Sequence, residues 1–203
     1  MNTLTPPAPG AHARGSPFAP GAVLTAADVA RLPRTLATTD VDFELHDGRL
    51  VVMAPPGSGH GRRQARFAAF LFTHGEQRGH GEAFAEVGVL LRRNPDHLLG
   101  PDAAFLTAAQ LPPRLSPEGY LLTVPHLVVE IRSKNDTQPE IDQKVSDYLA
   151  AGAALVWVAD PGARTVTAHG PNRPPVVFAA TDTLTADPVI PGFAVAVAEL
   201  LPA

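Results

Sequence analysis

The stretch VPHLVVEIRSKNDTQPEIDQK, Val124 to Lys144, decides how the rest of the chain is read. It begins with a mostly apolar run that ends on a carboxylate, Glu130, and passes through a polar loop to a segment that carries Lys144. The run HLVVEI is apolar enough to form a central strand of a sheet. Glu140 to Ala151 reads as a helix, with Gly152 at the position favoured for a C-terminal cap. Lys134 and Lys144 are the only two lysines, against fourteen arginines. An ammonium is a compact charge that can lose its proton when buried, which a guanidinium cannot do. Lys144 lies on the expected helix with Tyr148 one turn later on the same face. Lys134 follows the strand and reads as a solvated loop residue.

Upstream of this stretch, residues 1–22 are rich in Pro, Gly and Ala and read as a disordered tail. Residues 23–203 read as one domain. Thr25-Ala-Ala-Asp28 resembles a capping box, which would open a short helix running to about Leu32. FELHDGRLVVMA holds two extended runs around Asp47-Gly48, a dipeptide that favours tight hairpin turns. From His60 to about Gln77, Phe67, Phe70, Leu71 and His74 recur at helical spacing. EAFAEVGVLL and DAAFLT read as strands, separated by a turn around Asn94-Pro95-Asp96. Downstream, ALVWVAD reads as a central strand, and TVTAHG and PVVFA as strands nearer an edge. Pro191-Gly192-Phe193 leads to a short closing segment. The order predicts an α/β protein of the α+β kind, a mixed sheet with helices packed on it.

Bulk properties narrow the function classes. With no cysteine, disulfides and thiolate metal sites are excluded. The formal net charge of −4 argues against a protein that coats nucleic acid electrostatically, so any such contact must be local. No apolar run approaches the roughly 20 residues that a membrane helix needs. The N-terminus has no basic region followed by an apolar core, so a cytoplasmic location is expected.

Two carboxylates stand out. Asp102 follows Pro101 at the start of DAAFLT, and Glu130 ends HLVVE. Neighbouring strands lie about 4.8 Å apart, so if these two pair, both carboxylates reach one small volume. Two hard oxygen ligands of this kind suit Mg²⁺ or Mn²⁺. The plainer alternative is a surface Glu at a strand end and an Asp in a Pro-Asp turn.

These residues carry a resemblance. Pro101-Asp102 followed by Glu130-Ile131-Arg132 is similar to the PD-(D/E)xK signature of restriction-endonuclease-like nucleases. From about Asp42 to Phe193 the chain resembles the Uma-two family of restriction-endonuclease-like proteins. The hairpin FELHDGRLVVM, the strands GPDAAFL and PHLVVEIRS, the run Lys144, Tyr148, Gly152 and Trp157, and the terminal PGF carry it. It implies a two-layer core of mixed sheet and helices, often a homodimer. It also implies metal-dependent hydrolysis of phosphodiester bonds, with DNA as substrate and Asp102 and Glu130 as ligands of Mg²⁺ or Mn²⁺. Arg132 stands where the signature has Lys. Lys144 is then the expected substitute for orienting or activating the attacking water, with Arg132 as an auxiliary clamp on phosphate. The alternative is a catalytically inactive nuclease scaffold used for dimerisation or partner binding.

Further candidates have structural alternatives beside them. Glu44 could lend a third carboxylate through water, or simply face solvent. His60 could contact substrate or a metal-bound water, or cap the helix. Tyr148 would hydrogen-bond with its ring packed on the sheet. Glu86, expected in the strand before Asp102, and Trp157 read as structural. Arg62, Arg63 and Arg66 line one helix, as a solvated face or as contacts to phosphates. His74, His80, His97 and His126 show no ligand spacing, so no zinc site is expected.

Overall fold

The structure, a computed structural model, describes residues 21–33, 35–36, 39–40, 42–53 and 55–202. All but the last two residues of the expected 1–22 tail therefore lie outside the described residues. Of those two, Ala22 is partly buried against the apolar cluster formed around Leu24 and Leu45.

Chain order runs α1 (Ala26–Val29), a ribbon of β1 (Thr35–Leu36) and β2 (Thr39–Asp40), then a hairpin of β3 (Asp42–His46) and β4 (Arg49–Met53). Helix α2 (Ser58–His74) and a 3₁₀ turn at Glu76–Arg78 follow. Strands β5 (Gly81–Ala85), β6 (Val89–Arg92), β7 (His97–Leu99), β8 (Ala103–Thr107) and β9 (Leu127–Ile131) lead to α3 (Gln138–Ala150). The chain closes through β10 (Leu155–Asp160), β11 (Thr165–His169), β12 (Val176–Phe178), β13 (Thr183–Thr185), β14 (Ala194–Ala196) and α4 (Val197–Leu200).

The main sheet has six strands in the order β12-β11-β10-β9-β8-β5. Strands β9 and β10 run parallel. A parallel pair needs a long crossover, and α3 supplies it. Every residue of β9 is buried, as both faces of a central strand require. On one face Leu127, Val129, Leu155 and Trp157 pack against Phe67 and Leu71 of α2 and against Phe193 and the closing segment. On the other, Val128, Val156 and Val158 meet Ile141, Val145 and Tyr148 of α3. Helices thus cover both faces, where the family resemblance suggested two layers. The cause is legible in β9 and β10, whose alternate positions are apolar on both sides.

A second sheet, β4-β3-β7-β6, carries the hairpin. Asp47 and Gly48 both adopt positive φ, 55° and 77°, as the tight hairpin turn requires. Leu45 opposite Leu98 joins the hairpin to β7.

Three expectations are corrected. EAFAEVGVLL is not one strand: Glu86 sits at φ 50° and breaks it, sending β5 to the main sheet and β6 to the small one. Glu86 itself is exposed between them. Helix α2 begins at Ser58 and ends at His74, capped by Gly75, whose amide donates to the Leu71 carbonyl and which passes so close to the Phe105 ring that a side chain there would collide with it. Helix α3 begins at Gln138, because Thr137 and Glu140 form a capping box ahead of the expected start. Among the described residues no helix is long and apolar enough to cross a membrane.

Since α3 is held by its apolar seam, Ile141→Ala should lower the unfolding free energy by about 2–5 kcal/mol in urea titrations. The exposed edge position Val177→Ala should stay within about 0.5 kcal/mol of the parent. Equal effects at the two positions would mean that α3 is not docked as described.

Candidate functional site

The site is built where β8 and β9 part. Ala103 lies opposite Val129 in the antiparallel ladder, so one step further Asp102 stands opposite Glu130. Side chains alternate along a strand, which puts Glu130 on the same side as Val128, under α3. Directly opposed like charges destabilise a sheet, so this pair needs compensation, and four groups provide it. The Ile131 amide donates to Asp102 Oδ2 at 2.6 Å, and His60 Nε2 lies 2.8 Å from Asp102 Oδ1. The Tyr148 hydroxyl donates to Glu130 Oε1 at 2.8 Å, and Lys144 Nζ lies 3.5 Å from Glu130 Oε2.

Helix α3 delivers two of these groups because positions 141, 144, 145 and 148 share one face at i, i+3, i+4 and i+7 spacing. Ile141 and Val145 seat the helix, and Lys144 and Tyr148 then point at the end of β9. Lys144 Nζ also donates to Glu44 Oε1 at 2.8 Å. Glu44, only 2% exposed, is further held by the Gly100 amide at 3.2 Å and by His46 at 3.0 Å. The Lys144 ammonium thereby links Glu44 of the small sheet to Glu130 of the main one.

Electrostatics follow from this sharing. Burial pushes the Glu130 carboxyl up to about 7; Lys144 opposes the rise, and the charges of Asp102 and Glu44 add to it. Glu44 is buried too, yet His46 and Lys144 bring it down to about 2. The ammonium sits nearer Glu44 than Glu130, so it neutralises Glu44 first. Burial works against the Lys144 ammonium as well, but attraction from Glu130 and Glu44 wins and raises its pKa. The two carboxylates thus hold Lys144 in its charged form. Lys144 is a fixed cation. The Asp102 hydrogen bond raises the His60 pKa against partial burial, with Asp102, Asp136 and Glu130 adding attraction.

Among the described residues no group of three or more His, Asp or Glu side chains forms a ready-made metal cage. Asp102 and Glu130 offer a different kind of donor set, two hard carboxylates in a cluster whose negative charge exceeds its positive charge. That is the set Mg²⁺ accepts when it keeps waters and takes further oxygens from a phosphate. The raised Glu130 pKa marks a buried carboxylate short of positive charge, and a divalent cation would supply it.

Of the residues singled out in the sequence, Asp102, Glu130, Lys144, Tyr148, His60 and Glu44 converge. Arg132 does not touch them and pairs instead with Asp160 at 3.5 Å. Lys134 is exposed in the loop between β9 and α3. Trp157 is fully buried, its ring 5.3 Å from that of Phe193. His97 is a cross-tie, with Nδ1 3.0 Å from Asp47 and Nε2 3.2 Å from Asp147 of α3. Sequence reasoning missed His46, though it falls two residues after Glu44 on the same face of β3. It also missed Asp136, which accepts from the Ser133 amide and hydroxyl beside the site.

A mixed sheet flanked by helices, with opposed carboxylates at the end of its central strand, makes this an α+β protein. The family model of Uma2, described as "Putative restriction endonuclease", matches residues 26–198, and the chain belongs to that family. The fold is similar to the crystal structure of a protein from Anabaena variabilis described as a putative nuclease belonging to DUF820. Sequence identity is 19%, with 84% of this chain and 93% of that chain covered at a TM-score of 0.69. No curated protein matches the chain.

The Glu130 shift has a definite sign. The folded state keeps a proton on Glu130 up to about 7, and the unfolded chain releases it near 4.5. Stability from this group is therefore full below about 4.5 and is lost as pH rises through 7. His60, raised above 6.5, adds to the loss in the same direction at the upper end of this range. In EDTA, unfolding free energy measured from about pH 5 to 7 should fall for the wild type. Glu130→Gln should flatten the fall by about 2 kcal/mol over this range. Parallel curves for the two proteins would mean that Glu130 ionises normally.

Proposed function

We propose that the chain is a Mg²⁺- or Mn²⁺-dependent endonuclease that hydrolyses phosphodiester bonds of DNA in the cytoplasm, assembled as a homodimer. One observation carries this reading: Asp102 and Glu130 face each other at a strand end with the Lys144 ammonium fixed beside them. Asp102 and Glu130 would hold the ion. When bound, such an ion lowers the pKa of a water ligand and offsets charge that builds on the phosphate.

The protein's own groups do the rest. His60 and the Ile131 amide hold Asp102 in one orientation, and the Tyr148 hydroxyl does the same for Glu130. Such outer partners matter because they set the direction of the ligand oxygens. Lys144, kept charged, donates to the attacking water or to a non-bridging phosphate oxygen, which orients the first and steadies the second. Arg132, at the rim, can exchange its 3.5 Å contact with Asp160 for a phosphate. The water oxygen bonds to phosphorus as the ester oxygen on the opposite side departs, and the proton the water sheds passes through solvent to that departing oxygen, giving an alcohol and a phosphate monoester.

Two features favour the rival reading of a catalytically silent scaffold. The signature's lysine position holds an arginine already paired with Asp160, and a three-residue ligand set is lacking among the described residues. Calorimetry with Mn²⁺ separates the two. Wild type should bind the ion and Asp102→Asn should lose it. In plasmid nicking with Mn²⁺, Glu130→Gln should abolish cleavage, and Lys144→Ala should slow it by about 10²–10³. Tyr148→Phe should cost about 10–100-fold. Wild type that neither binds Mn²⁺ nor nicks DNA would leave the scaffold reading standing.

A further inference from the structure

Helix α2 begins beside the candidate site and then carries Arg62, Arg63 and Arg66 along one flank. We propose that this row is the surface that seats the phosphate backbone of the nucleic acid being cut. The inference rests on the nuclease reading above and assigns that site its substrate-docking face.

Three observations converge. First, the row adjoins the site. His60, in the opening turn of α2, touches Asp102, and Arg63 lies one turn further along. At 1.5 Å per residue the row runs from about 3 to 9 Å beyond His60 along the helix axis, on a flank turned away from the buried face of α2. Second, the charge is uncompensated. The chain has twenty acids to sixteen basic residues, yet α2 contains no Asp or Glu. Among the described residues none of the three arginines pairs with a carboxylate. Arg63 donates to the Gly59 carbonyl at 2.9 Å and Arg66 to the Glu199 carbonyl at 2.8 Å. These contacts fix two guanidinium groups without neutralising them, and each keeps further N–H donors for a phosphate. Third, the arrangement works against the helix. Arg62 and Arg66 are i, i+4 neighbours, and Arg63 and Arg66 are i, i+3 neighbours, so like charges repel along the flank. Like charges that cost local stability and meet no carboxylate are expected where an anionic ligand compensates them.

The recess between them, about 150 Å³, is lined by Gly59, the three arginines and Pro202. A membrane surface would call for apolar side chains around such a basic row, and here only Pro202 is apolar. A phosphate chain fits better, and it would leave base identity unread.

The test is equilibrium binding of a fluorescent DNA duplex in EDTA, where no hydrolysis runs, across a salt series. Wild type should bind with log K falling linearly against log salt. Arg62→Gln/Arg63→Gln should weaken binding of unrelated sequences alike and reduce the slope by about 1 for each arginine removed. Its melting temperature should be unchanged or higher, which a structural role for the arginines would not allow. Arg173→Gln, an exposed arginine in the loop after β11, should behave as wild type. An unchanged slope in the double variant overturns this interface and leaves the nuclease reading intact. Failure of wild type to bind any duplex, single-stranded DNA or RNA at low salt overturns both. Binding of anionic lipid vesicles that depends on the arginines, with DNA binding unaffected, assigns the row to a membrane and overturns the proposal.

Discussion

Two carboxylates placed opposite each other at the end of adjacent strands repel, and the fold has to contain that repulsion. Asp102 and Glu130 occupy such positions beside the parallel β9–β10 pair. The crossover that a parallel pair demands is α3, and α3 carries the cation. Topology and electrostatics are thus satisfied by one element. Because α3 is seated by Ile141 and Val145 in the apolar cluster, Lys144 is delivered to a fixed place rather than left to find one. The arrangement still leaves Glu130 short of positive charge. Replacing buried ionic sets by well-packed apolar residues is often neutral or stabilising, so stability alone does not account for this one.

The elements legible in the sequence are those with a strong local signature. HLVVEI could be read as a central strand because neither of its faces alternates to polar. Asp47-Gly48 could be read as a hairpin turn because few other residue pairs accept positive φ at both positions. The main carboxylate pair followed from two strands that do prove to be neighbours. What failed locally was decided at a distance. Nothing near Glu86 announces that the chain must leave one sheet for another there. Strand β7 is only three residues long; it forms a local hairpin with β6, and Leu98 meets Leu45 across a span of more than fifty residues to join that hairpin to β3. Glu44 could not be told from a solvent-facing residue for the same reason: its burial depends on β3 meeting β7 and on α3 lying across the other face. The start of α3 is a different kind of miss, since Thr137 and Glu140 already spell a capping box.

The small sheet, at the periphery of the fold, sets the charge balance of the central cluster. Its hairpin supplies Glu44, which takes the shorter of the two Lys144 contacts. Without Glu44 the ammonium would face Glu130 and Asp102 alone, and the Glu130 carboxyl would ionise more readily. Holding Lys144 slightly off Glu130 keeps that carboxylate under-neutralised and available to another cation. His97 hydrogen-bonds Asp47 of the hairpin turn and lies 3.2 Å from Asp147 of α3, so it sits between the two elements that supply Glu44 and Lys144.

This geometry also answers why an arginine-rich chain retains a lysine at 144. A guanidinium is planar, and its N–H groups form a rigid fork that matches one carboxylate edge-on. Facing Glu44, that fork would engage both of its oxygens and turn its remaining donors away from Glu130. An ammonium has three donors pointing in different directions from one centre. It can meet Glu44 at 2.8 Å, stand 3.5 Å from Glu130, and keep a donor for a third oxygen. Burial alone would strip the proton from such a lysine, and the two carboxylates prevent it. The residue type follows from the need for one small charge shared between acids that belong to different sheets.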